Sequence, residues 1–183
     1  MYKSYIAIDL FIPLSIKKSF FGFNKIDMEY FDDIDFFCFL LVKGQLKSKN
    51  DLIYYNNKEN EGAIIAFDNY QLVDSKNPIE FLKYSVFKIN LTAIDNFYDE
   101  IIIGANIYEA FKKKWTLLNS EVEFALVKSG TILPRHKIKI NYKATYFEFC
   151  KFRKGNESWE MELYEGPNFQ SINQAIKIRL NNE

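Results

Sequence analysis

Asp32 to Val42 reads DDIDFFCFLLV, an acidic opening that runs into an unbroken apolar stretch. Its length is that of a strand, and apolarity that does not alternate fits a strand buried on both faces. Lys43 to Asn50 is polar and holds Gly44, so it reads as a turn, and Asp51 to Tyr55 (DLIYY) supplies a short returning strand. The polar loop Asn56 to Glu61 (NNKENE) leads to a further strand at Gly62 to Phe67 (GAIIAF). Asp68 and Asn69 stand at its exit, where such side chains bond their own backbone.

Gln71 to Phe81 reads as an irregular connection containing Pro78. Tyr84 to Leu91 (YSVFKINL) then sets Val86, Lys88 and Asn90 against Phe87, Ile89 and Leu91, the period of a half-buried strand. Thr92 to Asp99 has room for one helical turn. Further strands are expected at Ile6 to Leu14, Glu100 to Ala110, Glu121 to Lys128, His136 to Tyr142, Ala144 to Phe152 and Ser158 to Tyr164. The last two are joined by a tight turn at Lys154-Gly155-Asn156-Glu157 and form a hairpin. At the C-terminal end, Phe169, Ile172, Ile176 and Leu180 are spaced by threes and fours, which fits a short amphipathic helix or a final strand.

About ten short strands with no long helix between them predict an all-β fold, an antiparallel β-sandwich, as a single domain over residues 1–183. Phe37, Phe39, Leu41, Ile64, Ile89, Ile102 and Phe149 are its expected core. A hydrophobic share of 48% with 26% charged residues excludes a disordered, charge-rich chain. The 24 basic residues cancel the 24 acidic ones, and arginine occurs only at Arg135, Arg153 and Arg179, so nothing favours a nucleic-acid partner. Cys38 and Cys150 each sit among aromatics and read as reduced core residues. The opening MYKSYIAIDLFIPLSIKK has no basic lead, and Asp9 and Pro13 break its apolar run. Neither a signal peptide nor a membrane-spanning helix is expected, which makes a cytoplasmic location the default.

The order of segments, DDIDFFCFLL, DLIYYNN, FDN, KINL and EIIIGANIY, resembles the TerD family of bacterial tellurium-resistance and stress proteins over roughly Lys25 to Gly166. Asp35 stands at the second Asp of that family's DLD-like motif. Tyr54-Tyr55-Asn56-Asn57 answers its FYNN motif, Asp68 and Asn69 keep two residues of its GDN motif, and Trp159 falls where a late Trp is expected. The resemblance implies a β-sandwich with calcium held by loop acids at one end, and a candidate ligand set of Asp35, Asn56, Asn57, Asp68 and Asn69, to which the period of two adds Asp33 on the side of Asp35. Here Phe67 replaces the glycine of GDN, and the family's later acidic cluster falls on Leu82 to Ser85, with Lys83 among them. Calcium needs six to eight oxygens, so weak binding or none is expected, with Asp74 and Glu80 as the nearby acids able to restore charge.

Each of these residues also has a plainer role. Asp32, Asp33 and Asp35 serve equally as a solvated acidic turn, and the loop amides and Asp68 as local backbone partners. His136 has no Ser, Cys or acid beside it, and Glu160 and Glu162 alternate as a solvent-facing row does. Two function classes follow. The first is a non-enzymatic binding or scaffolding module, either calcium-binding or with a decayed ion site and a surface that docks other proteins. The second is a hydrolase pairing Asp35 with Asp68, and no phosphate loop or nucleophile elbow supports it.

Overall fold

A computed structural model describes residues 5–13, 34–60, 62–69, 81–113, 121–128, 131–139, 144–156, 158–167 and 169–180. Among these residues twelve strands occur in chain order: β1 (Tyr5–Pro13), β2 (Ile34–Leu41), β3 (Leu52–Ile53), β4 (Glu59–Asn60), β5 (Ile64–Asn69), β6 (Phe81–Asn90), β7 (Glu100–Ile107), β8 (Glu121–Lys128), β9 (Thr131–Ile132), β10 (His136–Lys139), β11 (Tyr146–Lys154) and β12 (Trp159–Leu163). The one-turn helix α1 (Ala110–Lys113) follows β7, and α2 (Ile172–Leu180) closes the described chain.

All the pairings are antiparallel. One sheet runs β10-β8-β1-β6-β5-β4 with β9 added to β8, and the other runs β12-β11-β7-β2-β3. The expected sandwich is therefore the observed fold. The hairpin of β11 and β12 forms in the register Cys150 to Leu163 through Lys154 to Trp159.

β2 explains the apolar run that decides the fold. Ile34, Phe36, Cys38 and Leu40 face the other sheet, where Ile6, Ile8, Phe87, Ile89 and Phe124 meet them. Phe37, Phe39 and Leu41 point to the opposite face and pack with Leu52, Ile102, Tyr146 and Ala175 of α2. Both faces are dry because α2 covers the outside of the five-stranded sheet. A helix, not a last strand, is thus the outcome at the C-terminal end.

All seven expected core residues are buried. A bulge between Glu148 and Cys150 lets consecutive Phe149 and Cys150 both reach the inter-sheet core, where Phe149 lies 5.6 Å from the Phe124 ring. Cys38 and Cys150 are free thiols, and each stands opposite Ile103 on either side of β7. Two strand spacings, about 9 to 10 Å, part their backbones, too far for a disulfide.

Some boundaries differ from the sequence reading. Asp68 and Asn69 lie inside β5, opposite Ser85 and Tyr84, rather than in a turn. The Asp51 to Tyr55 strand shrinks to Leu52–Ile53, because Ser48 caps a 3-10 turn over Lys49–Asp51. Residues 92–99 form turns without a helix. The connection at 71–80 lies outside the described residues.

Candidate functional site

The β2 and β7 pairing sets Asp35 opposite Asn106, and both share the outer-face parity of Phe37 and Ile102. α2 begins beside this pair: the Ile172 amide donates to Asn106 Oδ1 at 3.1 Å. The helix covers the sheet from here onward and leaves Asp35, half-buried, at its margin. On the other flank a bridge between Tyr54 and Asn57 turns the chain back after β3 and places Tyr55, 40% exposed, by Asp35. Beyond β7, Tyr108 is exposed and Glu109 adopts a left-handed φ of 50°. That conformation folds the chain into α1 and brings Lys112 within 2.5 Å of the Glu109 carboxylate.

These elements enclose a cleft of about 500 Å³, with Asp35, Tyr54, Tyr55, Tyr108 and Gln170 on its walls. Partial burial and then the nearby Asp35 carboxylate push the Tyr55 phenol above its ordinary pKa. Tyr108 and Tyr54 add to the rise, and a hydrogen bond from the Asn56 side chain acts the other way.

The expected ligand set is only partly brought together. Asp35 and the Tyr55-Asn56 tip share this end of the sandwich. β6 leads through residues 91–99 into β7, so the start of β6, and with it the Asp68 and Asn69 backbone, lies at the same end, on the other sheet. Asp33 and the side chains of Asp68 and Asn69 lie outside the described residues. Asn57 departs from the expectation. Its amide nitrogen donates to the carbonyls of Leu52 at 2.8 Å and Asn50 at 3.2 Å, and it lines a second cleft with Asp51, Asn60 and Tyr98. Among the described residues, no group of three or more His, Cys, Asp or Glu could hold a metal ion.

Asp51, which the sequence marks only as the start of the DLIYY strand, is buried in that second cleft. Its carboxylate accepts from the amides of Lys47 and Ser48, from Asn60 and, at 2.6 Å, from the Tyr98 hydroxyl. Four neutral donors complete this carboxylate, so it organises the loop. No local sequence pattern marks Asn106, Tyr108 and Glu109 as site residues, because the β2 and β7 register carries them to Asp35. His136 is half-buried and stacks on the core ring of Phe124 at 5.0 Å, and Glu160 and Glu162 are exposed.

No curated protein matches the chain in sequence. Among solved structures, SAV2460, a protein of unknown function, superposes with a TM-score of 0.63 at 14% identity, covering 100% of both chains. A homologue of telluride resistance protein (TerD), SCO6318 from Streptomyces coelicolor A3(2), superposes at 0.58 with 11% identity, over 96% of this chain and 97% of its own. At these identities the two likenesses establish the fold. The TerD domain family matches residues 21–173, nearly the span that the motif order marks out, and the chain belongs to that family.

Proposed function

We propose that this chain is a non-enzymatic TerD-type binding or scaffolding module, serving stress or tellurium resistance, whose calcium site has degenerated and whose surface docks other proteins. Asn57 is the observation that carries it. The side chain that would complete the Asp35 end turns instead to the Asn50 and Leu52 carbonyls and lines the cleft at Asp51. A hard cation that prefers six or more oxygens gains little there. The telluride-resistance homologue among the structural relatives supports the biological setting.

The non-enzymatic reading draws support from the thiols. Burial pushes Cys38 and Cys150 far above the ordinary cysteine range, and a thiol that stays protonated is a poor nucleophile. No helix of the described residues is long and apolar enough to cross a membrane, which is compatible with work in the cytoplasm.

Calorimetric titration with calcium chloride tests the reading. Either no heat or a dissociation constant of roughly 10⁻⁴ to 10⁻³ M is expected. Sub-micromolar binding would overturn it and make the chain a functional calcium-binding stress protein.

A further inference from the structure

The cleft at Asp35 combines aromatic rings with amides. Tyr54, Tyr55 and Tyr108 contribute three phenol rings, with Tyr54 and Tyr55 edge to face at 5.1 Å and both Tyr55 and Tyr108 exposed. Asn173, exposed at the second position of α2, adds its side-chain amide to the wall, and the exposed Gln170 adds another.

The charges of the cleft favour neither a cation nor an anion. Among the described residues they are Asp35, Glu109 and Lys112. Glu109 and Lys112 neutralise each other at 2.5 Å, and Asp35 already has an interaction partner. The start of α2 ordinarily attracts an anion. Part of that polarity is spent within the protein, where Asn106 Oδ1 accepts from the Ile172 amide and Ser171 Oγ from the Gln174 amide. The backbone amide of Asn173 lies between these two in the first turn, beyond the reach of any carbonyl of the helix, and can donate to a ligand oxygen. A cation would meet this donor and the Lys112 ammonium, whereas an anion would meet the Asp35 and Glu109 carboxylates. A neutral ligand rich in oxygen escapes both penalties.

A sugar has that chemistry and also suits the rings. The C–H face of a pyranose packs against a phenol ring as other apolar surface does, and its hydroxyls pair with side-chain amides, which donate and accept alike. We propose that this cleft binds a neutral saccharide, a pyranose ring packed among the tyrosines with its hydroxyls held by the Asn173 and Gln170 amides. This goes beyond the docking and calcium readings and depends on neither. The cleft volume, about 500 Å³, lies within the usual range of small-ligand sites.

The test is an amide NMR titration of the full chain with methyl β-glucopyranoside, methyl β-galactopyranoside, methyl α-mannopyranoside and N-acetylglucosamine, and with n-butanol, n-butylammonium and acetate as controls. Saturable shifts at Tyr54, Tyr55, Tyr108 and Asn173 are expected with at least one sugar, at a dissociation constant of about 1 mM, which is ordinary for a ligand of so few atoms. Tyr108→Ala, at an exposed ring, and Asn173→Ala, at an exposed amide, should each weaken that binding about three- to tenfold with the native spectrum retained. Silence to all four sugars would overturn the proposal. So would binding of butanol, butylammonium or acetate at these residues as tight as that of the best sugar, or unchanged affinity in both folded variants. The calcium titration reads the proposed function separately, so failure of either leaves the other standing.

Discussion

Glu148 of β11 and Arg179 of α2 form a buried ion pair, with Arg179 Nη2 at 2.8 and 3.1 Å from the two carboxylate oxygens. The residues are 1% and 6% exposed. The Tyr146 hydroxyl donates to the same carboxylate, and the guanidinium lies 4.8 Å above the Phe39 ring. Arg179 Nη1 is buried without a hydrogen-bond partner. The pair therefore fixes where α2 sits on the sheet while being incompletely satisfied.

Removing one member should be costly. Arg179→Met leaves Glu148 buried beside a phenol with its cation gone, and a loss of about 3 to 5 kcal/mol is expected in urea unfolding. The double variant Glu148→Leu with Arg179→Met should recover most of that loss, since neither charge then needs desolvating. A single variant within about 0.5 kcal/mol of the parent would refute the latch.

Glu148 also sets a pH dependence. Burial raises its pKa, and Arg179, the Tyr146 hydroxyl and Lys151 pull it back only in part. With the folded value above the unfolded one, the native state holds the proton longer, so stability falls as pH climbs from the ordinary glutamate value to the raised one. Glu148→Gln should flatten that decline in a series of unfolding curves. Parallel profiles for parent and variant would show that the group is not responsible.

Much of the fold is legible because burial leaves periodic traces. The unbroken run in β2 signals two dry faces, and the alternation in β6 signals one. What covers the outer face is less legible. Residues 172–180 fit helix and strand periods alike, and contact with Phe37, Phe39 and Tyr146 decides between them. Asp35 stands out by motif, whereas Asn106 and Tyr108 reach it only through antiparallel register, which no local pattern encodes. Asn57 misleads for a physical reason: an amide offers a donor as readily as an oxygen, and here backbone carbonyls claim the donor.

The thiols give a simple readout of core integrity. Cys38 and Cys150 are fully buried and their pKa values are pushed up by desolvation, with Cys150 adding to the rise at Cys38. Native protein should not react with Ellman's reagent on the timescale in which denatured protein releases two thiolates per chain. Prompt reaction of either cysteine in the native state would contradict its placement between the sheets.

Gly104 of β7 stands opposite Phe37 in the sheet, on the face that α2 covers. A Cβ there would collide with the Phe37 ring and with the Phe147 carbonyl oxygen. The ring has little room to yield, because it stacks on Tyr146 at 5.0 Å and 15° and sits 5.1 Å from Phe39. Gly104→Ala should cost about 3 kcal/mol or more, at the upper end of overpacking losses, since one of the clashing atoms is backbone. Phe37→Ala, which empties the same site, should cost about 3 to 5 kcal/mol. The two substitutions relieve each other: with the ring gone, the added methyl meets only the carbonyl, so the double variant should be more stable than the sum of the single losses allows. Chemical denaturation of the four proteins measures this coupling, and strict additivity would show that Phe37 does not press on Gly104.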